Sequence, residues 1–201
     1  MLGRRLVRGL PLSLVLVLAA LVAFRVVQQQ APGLEPALPG PDPMAHLFDP
    51  NEPVFFSGGA TTLTEAAVEA DFELEVPDED AVPSEDKSPD VFLLADSAEF
   101  ALRYGSNVVL LSEPLKSTQD PREMFEQQTE DRGLGFVTTI GGNPARVVPA
   151  GEKPTVDGVG RPPSADRVTV IEMVRNDRLI TAYQLDGSPD ELIKMMETIG
   201  R

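Results

Sequence analysis

The sequence predicts an α+β domain: an antiparallel meandering sheet, flat or curved, with N- and C-terminal helices, carried behind an N-terminal transmembrane helix and a Pro-rich spacer. Three observations point there. Short apolar runs separated by Gly/Asn turn signals recur between residues 91 and 185, as strands of a meander do. Helix-capping patterns stand at Thr62 and Ser188, before and after those runs. A basic N-terminus opens directly into an uncharged apolar stretch, Leu10 to Phe24, broken by Pro11 and Ser13.

That first stretch has 15 residues, short of the roughly 17–25 needed to cross a bilayer. Arg25 is followed by Val26 and Val27, so residues 10–27 supply 18 positions if the arginine snorkels to the interface. Cleavage wants small residues three before and one before the cut, but a cut after Ala23 puts Leu21 there, and one after Ala20 puts Leu18. The expectation is an uncleaved signal anchor, with secretion after cleavage as the alternative. Arg4, Arg5 and Arg8 then stay in the cytoplasm by the positive-inside bias, which leaves the C-terminal domain outside a single-pass membrane protein. Residues 1–9 are the n-region, 10–27 the anchor, 28–61 a Pro-rich spacer and 62–201 the extracytoplasmic domain. The spacer carries Pro32, Pro36, Pro39, Pro41, Pro43, Pro50 and Pro53, which oppose helix and ladder formation and favour an extended, stiff chain. His46 lies within it and reads as a surface or packing residue rather than a ligand.

The folded part begins with Thr62-Leu63-Thr64-Glu65, which has capping-box spacing, and Leu63, Ala66, Ala67 and Ala70 follow on one helical face. Phe72, Leu74 and Val76 alternate with Glu73 and Glu75, which predicts a half-buried strand with an acidic outer face, ending at Pro77. Asp78 to Asp90 reads as a polar loop. Val91 to Ala95, Glu99 to Tyr104 and Val108 to Leu111 predict three antiparallel strands, the last two joined at Gly105-Ser106-Asn107. Asp120-Pro121-Arg122-Glu123 opens a helix that Gly133 can close; its thin apolar face, Met124 and Phe125, suggests a surface excursion. Gly141-Gly142-Asn143-Pro144 joins Gly135–Ile140 to Ala145–Val148 as a hairpin, and residues 149–165 form a Gly- and Pro-rich loop. Arg167 to Val174 is a near-continuous apolar run, as in a strand covered on both faces. Asn176-Asp177 turns into Leu179 to Leu185, where Leu179, Thr181, Tyr183 and Leu185 share one face. Ser188-Pro189-Asp190-Glu191 then opens the last helix, with Leu192, Ile193, Met196 and Ile199 as its stripe.

Composition narrows the function. The net charge is −15, and setting aside the four arginines before Val27 makes it −19, a balance that repels nucleic-acid backbones. No cysteine is present, so disulfide, thiolate, iron–sulfur and cysteine–zinc chemistry are excluded. One histidine leaves no base for a serine triad in a nucleophile-elbow context. The abundant carboxylates leave room for a hydrolase, but no Trp and two Tyr give little aromatic platform for sugars. Asp78-Glu79-Asp80 with Glu85 and Asp86 lacks the residue order of a calcium loop, and Gly141-Gly142 lacks the Lys-Ser/Thr of a phosphate loop. No catalytic residue, cofactor or metal ligand is assigned.

Several segments together resemble a bacterial extracytoplasmic domain of unknown function found in anti-sigma-factor-like single-pass membrane proteins. They are the helix running into Phe72-Glu73-Leu74-Glu75-Val76-Pro77, the Arg103-Tyr104-Gly105 corner, the Ile140-Gly141-Gly142-Asn143-Pro144-Ala145 turn and the closing Ser188-Pro189-Asp190-Glu191-Leu192 helix start. The resemblance covers roughly Leu63 to Ile199 and extends distantly to lipoprotein-carrier and sigma-regulator sensor folds. It implies a non-enzymatic interaction or sensor domain and transfers no catalytic residue. The nine residues before the apolar run cannot form a sigma-binding module, so the implied action is on the outer side. The alternative reading is a carrier that holds an apolar ligand in a curved-sheet cavity. Between Glu69 and Asp90 ten acids face one base, Lys87; Asp78, Glu79, Asp80, Glu85 and Asp86 are the candidate patch for steering a basic protein partner, against the plainer role of keeping an exported protein soluble.

Overall fold

In a computed structural model, the residues described are 47–49, 60–94, 98–152 and 166–200. The n-region, the anchor, His46 and most of the spacer lie outside them, as does most of the Gly- and Pro-rich loop after β6. The chain divides into two units, Met1–Gly40 and Pro41–Arg201, and every element below belongs to the second.

Eight antiparallel strands form one sheet in the order β1-β2-β3-β4-β8-β7-β6-β5. They are β1 (Ala60–Thr61), β2 (Asp90–Leu94), β3 (Glu99–Tyr104), β4 (Val108–Pro114), β5 (Phe136–Ile140), β6 (Asn143–Val148), β7 (Val168–Arg175) and β8 (Arg178–Leu185). Two meanders, β1 to β4 and β5 to β8, meet where β4 pairs with β8, Leu110 opposite Ala182. Helices α1 (Leu63–Glu69), α2 (Pro121–Arg132) and α3 (Pro189–Met196) complete an α+β fold, with α1 ahead of most of the sheet and α3 after it.

The turns take the geometry their residues allow. Gly141 and Gly142 both have positive φ, +56° and +87°, between Ile140 and Asn143, which face each other across the ladder. Two left-handed residues match the strand twist in a two-residue hairpin, and glycine adopts them without steric cost. Asn176 and Asp177 do the same between β7 and β8, at 48° and 58°. At Gly135 the reason is space as well, since a Cβ would stand 2.5 Å from the Val147 carbonyl oxygen.

Because side chains alternate along a strand, the sheet has two apolar faces. On the first, Phe100, Leu102, Val108, Leu110, Ile171 and Ile180 pack against Ala66 of α1 and against Leu192, Met195 and Met196 of α3. Both helices are capped as expected. Thr62 and Glu65 form the capping box of α1, and the Ser188 hydroxyl accepts from Glu191 N–H at the start of α3. On the second face, Met124 and Phe125 of α2 cover Val174, and Leu47 and Phe48 pack on Phe92, Ala101, Val109 and Val168.

The structure departs from the sequence reading in three places. Residues 72–76 pair with no strand among the described residues, Val76 N–H instead donating back to the Leu74 carbonyl, and Glu75, expected on an acidic outer face, is only 1 % exposed. Tertiary partners at the β7–β8 turn draw it inward, as described below. Helix α2 is not a surface excursion: Phe125 is fully buried, because two large side chains suffice to seat a helix over a sheet edge. The packed unit also takes in residues ahead of Thr62, namely Leu47, Phe48 and β1, whose Ala60 lies opposite Phe92.

Candidate functional site

The acidic loop between Pro77 and Asp90 is held to the body at several points. Asp78 N–H donates to the Thr198 hydroxyl at 2.9 Å, next to the end of α3. Glu79–Ala81 make one 3₁₀ turn, after which Val82 inserts into the first-face core. The Ser84 hydroxyl donates to the Tyr104 carbonyl at 3.2 Å, and the Asn107 amide donates to the Pro83 carbonyl at 3.0 Å. The loop is therefore stapled to α3, to the sheet core and to the β3–β4 turn.

Asp78, Glu79, Asp80, Glu85 and Asp86 are all exposed on this loop. They fall into two sets, the first three on and beside the 3₁₀ turn and the last two beyond the Val82 anchor. The half-buried Lys87 ammonium donates to the Val82 carbonyl. A cleft of about 360 Å³ lies beside the second set, lined by Ser84, Glu85, Asp86 and the β3–β4 turn at Gly105, Ser106 and Asn107. A cleft of about 260 Å³ lies beside the first, where Glu79 and Lys87 meet Leu63, Val76, Pro77 and Tyr104. Burial, and then the Glu79 carboxylate, push the Tyr104 phenol above its ordinary value, so it stays protonated at neutral pH. Among the described residues, no three Asp, Glu or His side chains converge as a metal site would need. Exposed carboxylates on a fixed support make this surface a region of negative potential.

Two polar clusters escaped sequence reasoning. At the β7–β8 turn, Arg175 donates to the carbonyls of Ile199 and Gly200, at 2.7 and 2.8 Å, and its Nε lies 3.5 Å from Glu75 Oε2. Asn176 donates to Glu75 Oε1 at 3.4 Å. Burial raises the Glu75 carboxyl above its ordinary value against the downward pull of Arg175. Nearby, Arg178 donates to the Ser112 hydroxyl and to the carbonyls of Ser112 and Ala98, and its guanidinium lies 4.2 Å from the Phe72 ring centroid. The group ties residues 72–76 and the end of the α3 region to the sheet. The second group is on the other face and has two separate parts, Arg103 paired with Asp90 at 2.8 Å on β3 and β2, and Arg146 paired with Glu172 at 2.6 Å on β6 and β7. Beside it burial, then Glu172 and Glu113, push the Tyr183 phenol up to about 12. A charged residue at one position of an alternating strand carries no mark of the cross-strand partner it will meet, so neither cluster had a local signal.

No known protein family, curated protein or solved structure matches the chain.

Proposed function

We propose that this is a membrane-anchored, extracytoplasmic interaction or sensor domain that works by binding a basic protein and performs no chemistry. The observation that carries the reading is the acidic loop, whose five carboxylates are exposed on a stapled support while its one base is half-buried and bonded to a backbone carbonyl. The filling of both sheet faces favours this over the carrier alternative, which needs an empty apolar cavity of several hundred Å³ between sheet and helix. The resemblance to extracytoplasmic domains of anti-sigma-factor-like proteins agrees with it, as does the basic, then apolar, N-terminal sequence.

Charge steering sets the association rate more than the final affinity, and it is screened over about 8 Å at physiological salt. The test is a crosslinking pull-down from native membranes with the full-length chain and with a variant carrying Asp78→Asn, Glu79→Gln, Asp80→Asn, Glu85→Gln and Asp86→Asn. The wild type is expected to recover a basic protein at low salt, and recovery should drop several-fold in the variant and at high salt. Recovery of the same proteins by both chains at both salts would leave the loop only a solubility role. Fractionation with a C-terminal tag checks the anchor, and a soluble product starting near Phe24 would overturn it.

A further inference from the structure

The second face of the sheet holds a peptide in place, and the peptide is the chain's own. Phe92, Ala101, Val109 and Val168 make an apolar floor, flanked by Leu111, Val170, Tyr183 and Leu185. Leu47 and Phe48 fill it and are 2 % and 6 % exposed. The main chain is gripped as well, because Arg103 Nη1 donates to the Asp49 carbonyl at 2.8 Å. That guanidinium is itself fixed before it meets the carbonyl: Nε and Nη2 donate to Asp90 Oδ2 at 3.2 and 2.8 Å, and it lies 5.3 Å from the Phe92 ring centroid. A planar fork already oriented by a carboxylate and a ring loses little freedom when it captures one more acceptor.

These are the parts of a peptide-recognition site: a floor for two consecutive apolar side chains and an oriented donor for the next carbonyl. We propose that the second face is a recognition groove for a Leu-Phe segment, closed in cis by Leu47–Asp49 and able to take the same segment from a second copy once its own is withdrawn. Tethering explains why the cis occupant holds the groove, since a short linker gives it an effective concentration in the millimolar range that a free competitor must exceed. The groove lies on the face opposite Val82 and the acidic loop, so this inference stands or falls apart from the proposed partner surface.

The experiment uses the full-length chain in detergent and a fluorescent peptide spanning Met44 to Glu52, read by anisotropy. A chain carrying Leu47→Ser and Phe48→Ser is expected to bind the peptide at least tenfold more tightly than the wild type. A Phe48→Ala chain should show a smaller gain, and it carries the test if the double variant fails to fold. The same peptide with serine in place of its leucine and phenylalanine should lose that binding. Equal affinity in wild type and variants, or binding indifferent to the leucine and phenylalanine of the peptide, would overturn the proposal.

Discussion

The two faces of the sheet are built on different plans. The first is one continuous apolar cluster that joins strands β2 to β8 to α1, α3 and Val82. Among the described residues the second is divided into two patches, one under Leu47 and Phe48 and one under α2, with the Arg103–Asp90 and Arg146–Glu172 pairs on the same face. A continuous cluster fails as a unit, because removing one side chain leaves a void that neighbours on several elements share. Separate patches can open one at a time, since local unfolding needs only the contacts of the part that leaves. The contrast assigns stability to the first face and adaptability to the second.

The largest effect should come from the first face. Leu192→Ala leaves a cavity where α3 meets the sheet and should cost about 2–5 kcal/mol, a large part of a typical domain's stability of about 5–15 kcal/mol. A thermal melt should drop by many degrees as one cooperative transition, and an unchanged melt would remove the basis of the contrast. Phe48→Ala should cost less, about 1.5–3 kcal/mol, because the loss is limited to what docking of the segment contributes. Hydrogen exchange sharpens the point: amides near residue 49 should exchange faster while those of α3 keep their protection. Loss of protection in α3 would show that the two faces are coupled.

Glu75 probes the polar seam beside the first face. A carboxyl whose value is raised in the folded state holds its proton where the unfolded chain has lost it. Its contribution is complete below about the ordinary value of 4.5 and is lost as pH rises through the raised value. Glu75→Gln removes that loss, so its melting temperature relative to wild type should climb between pH 4.5 and neutrality. A difference constant with pH would show that Arg175 and Asn176 compensate the buried charge fully. The smallest effect belongs to Arg122→Ala on α2, which removes an exposed pair with Glu126, 3.1 Å long. Such pairs contribute about 0.3–0.5 kcal/mol, so chemical denaturation should barely shift.

Much of the fold was legible in the sequence. The caps at Thr62, Asp120 and Ser188, the strands β2 to β8 and the hairpins at Gly141-Gly142 and Asn176-Asp177 all follow from residues within a few positions of one another. Of the candidate surface, the identities of the five acids were legible but their support was not. The staples to Thr198, Tyr104 and Asn107 join residues up to 120 positions apart, and nothing local encodes such a meeting. Residues 72–76 show the limit most plainly. Their alternation fits a strand, but strand formation needs a neighbour to accept the ladder, and no described strand pairs with them.

By itself the sequence determined the local grammar of this protein: which stretches are helical or extended, where they turn, and that the body after Val27 is strongly acidic, because these depend on short-range sterics, capping and summed charge. Only the tertiary structure decided that the two meanders join at β4 and β8, that Glu75 is buried beside Arg175, that Lys87 bonds the Val82 carbonyl, and that Leu47 and Phe48 close the second face. Each of these is a choice among partners distant in the chain. Burial and hydrogen bonding settle such choices only once the sheet exists to offer the partners.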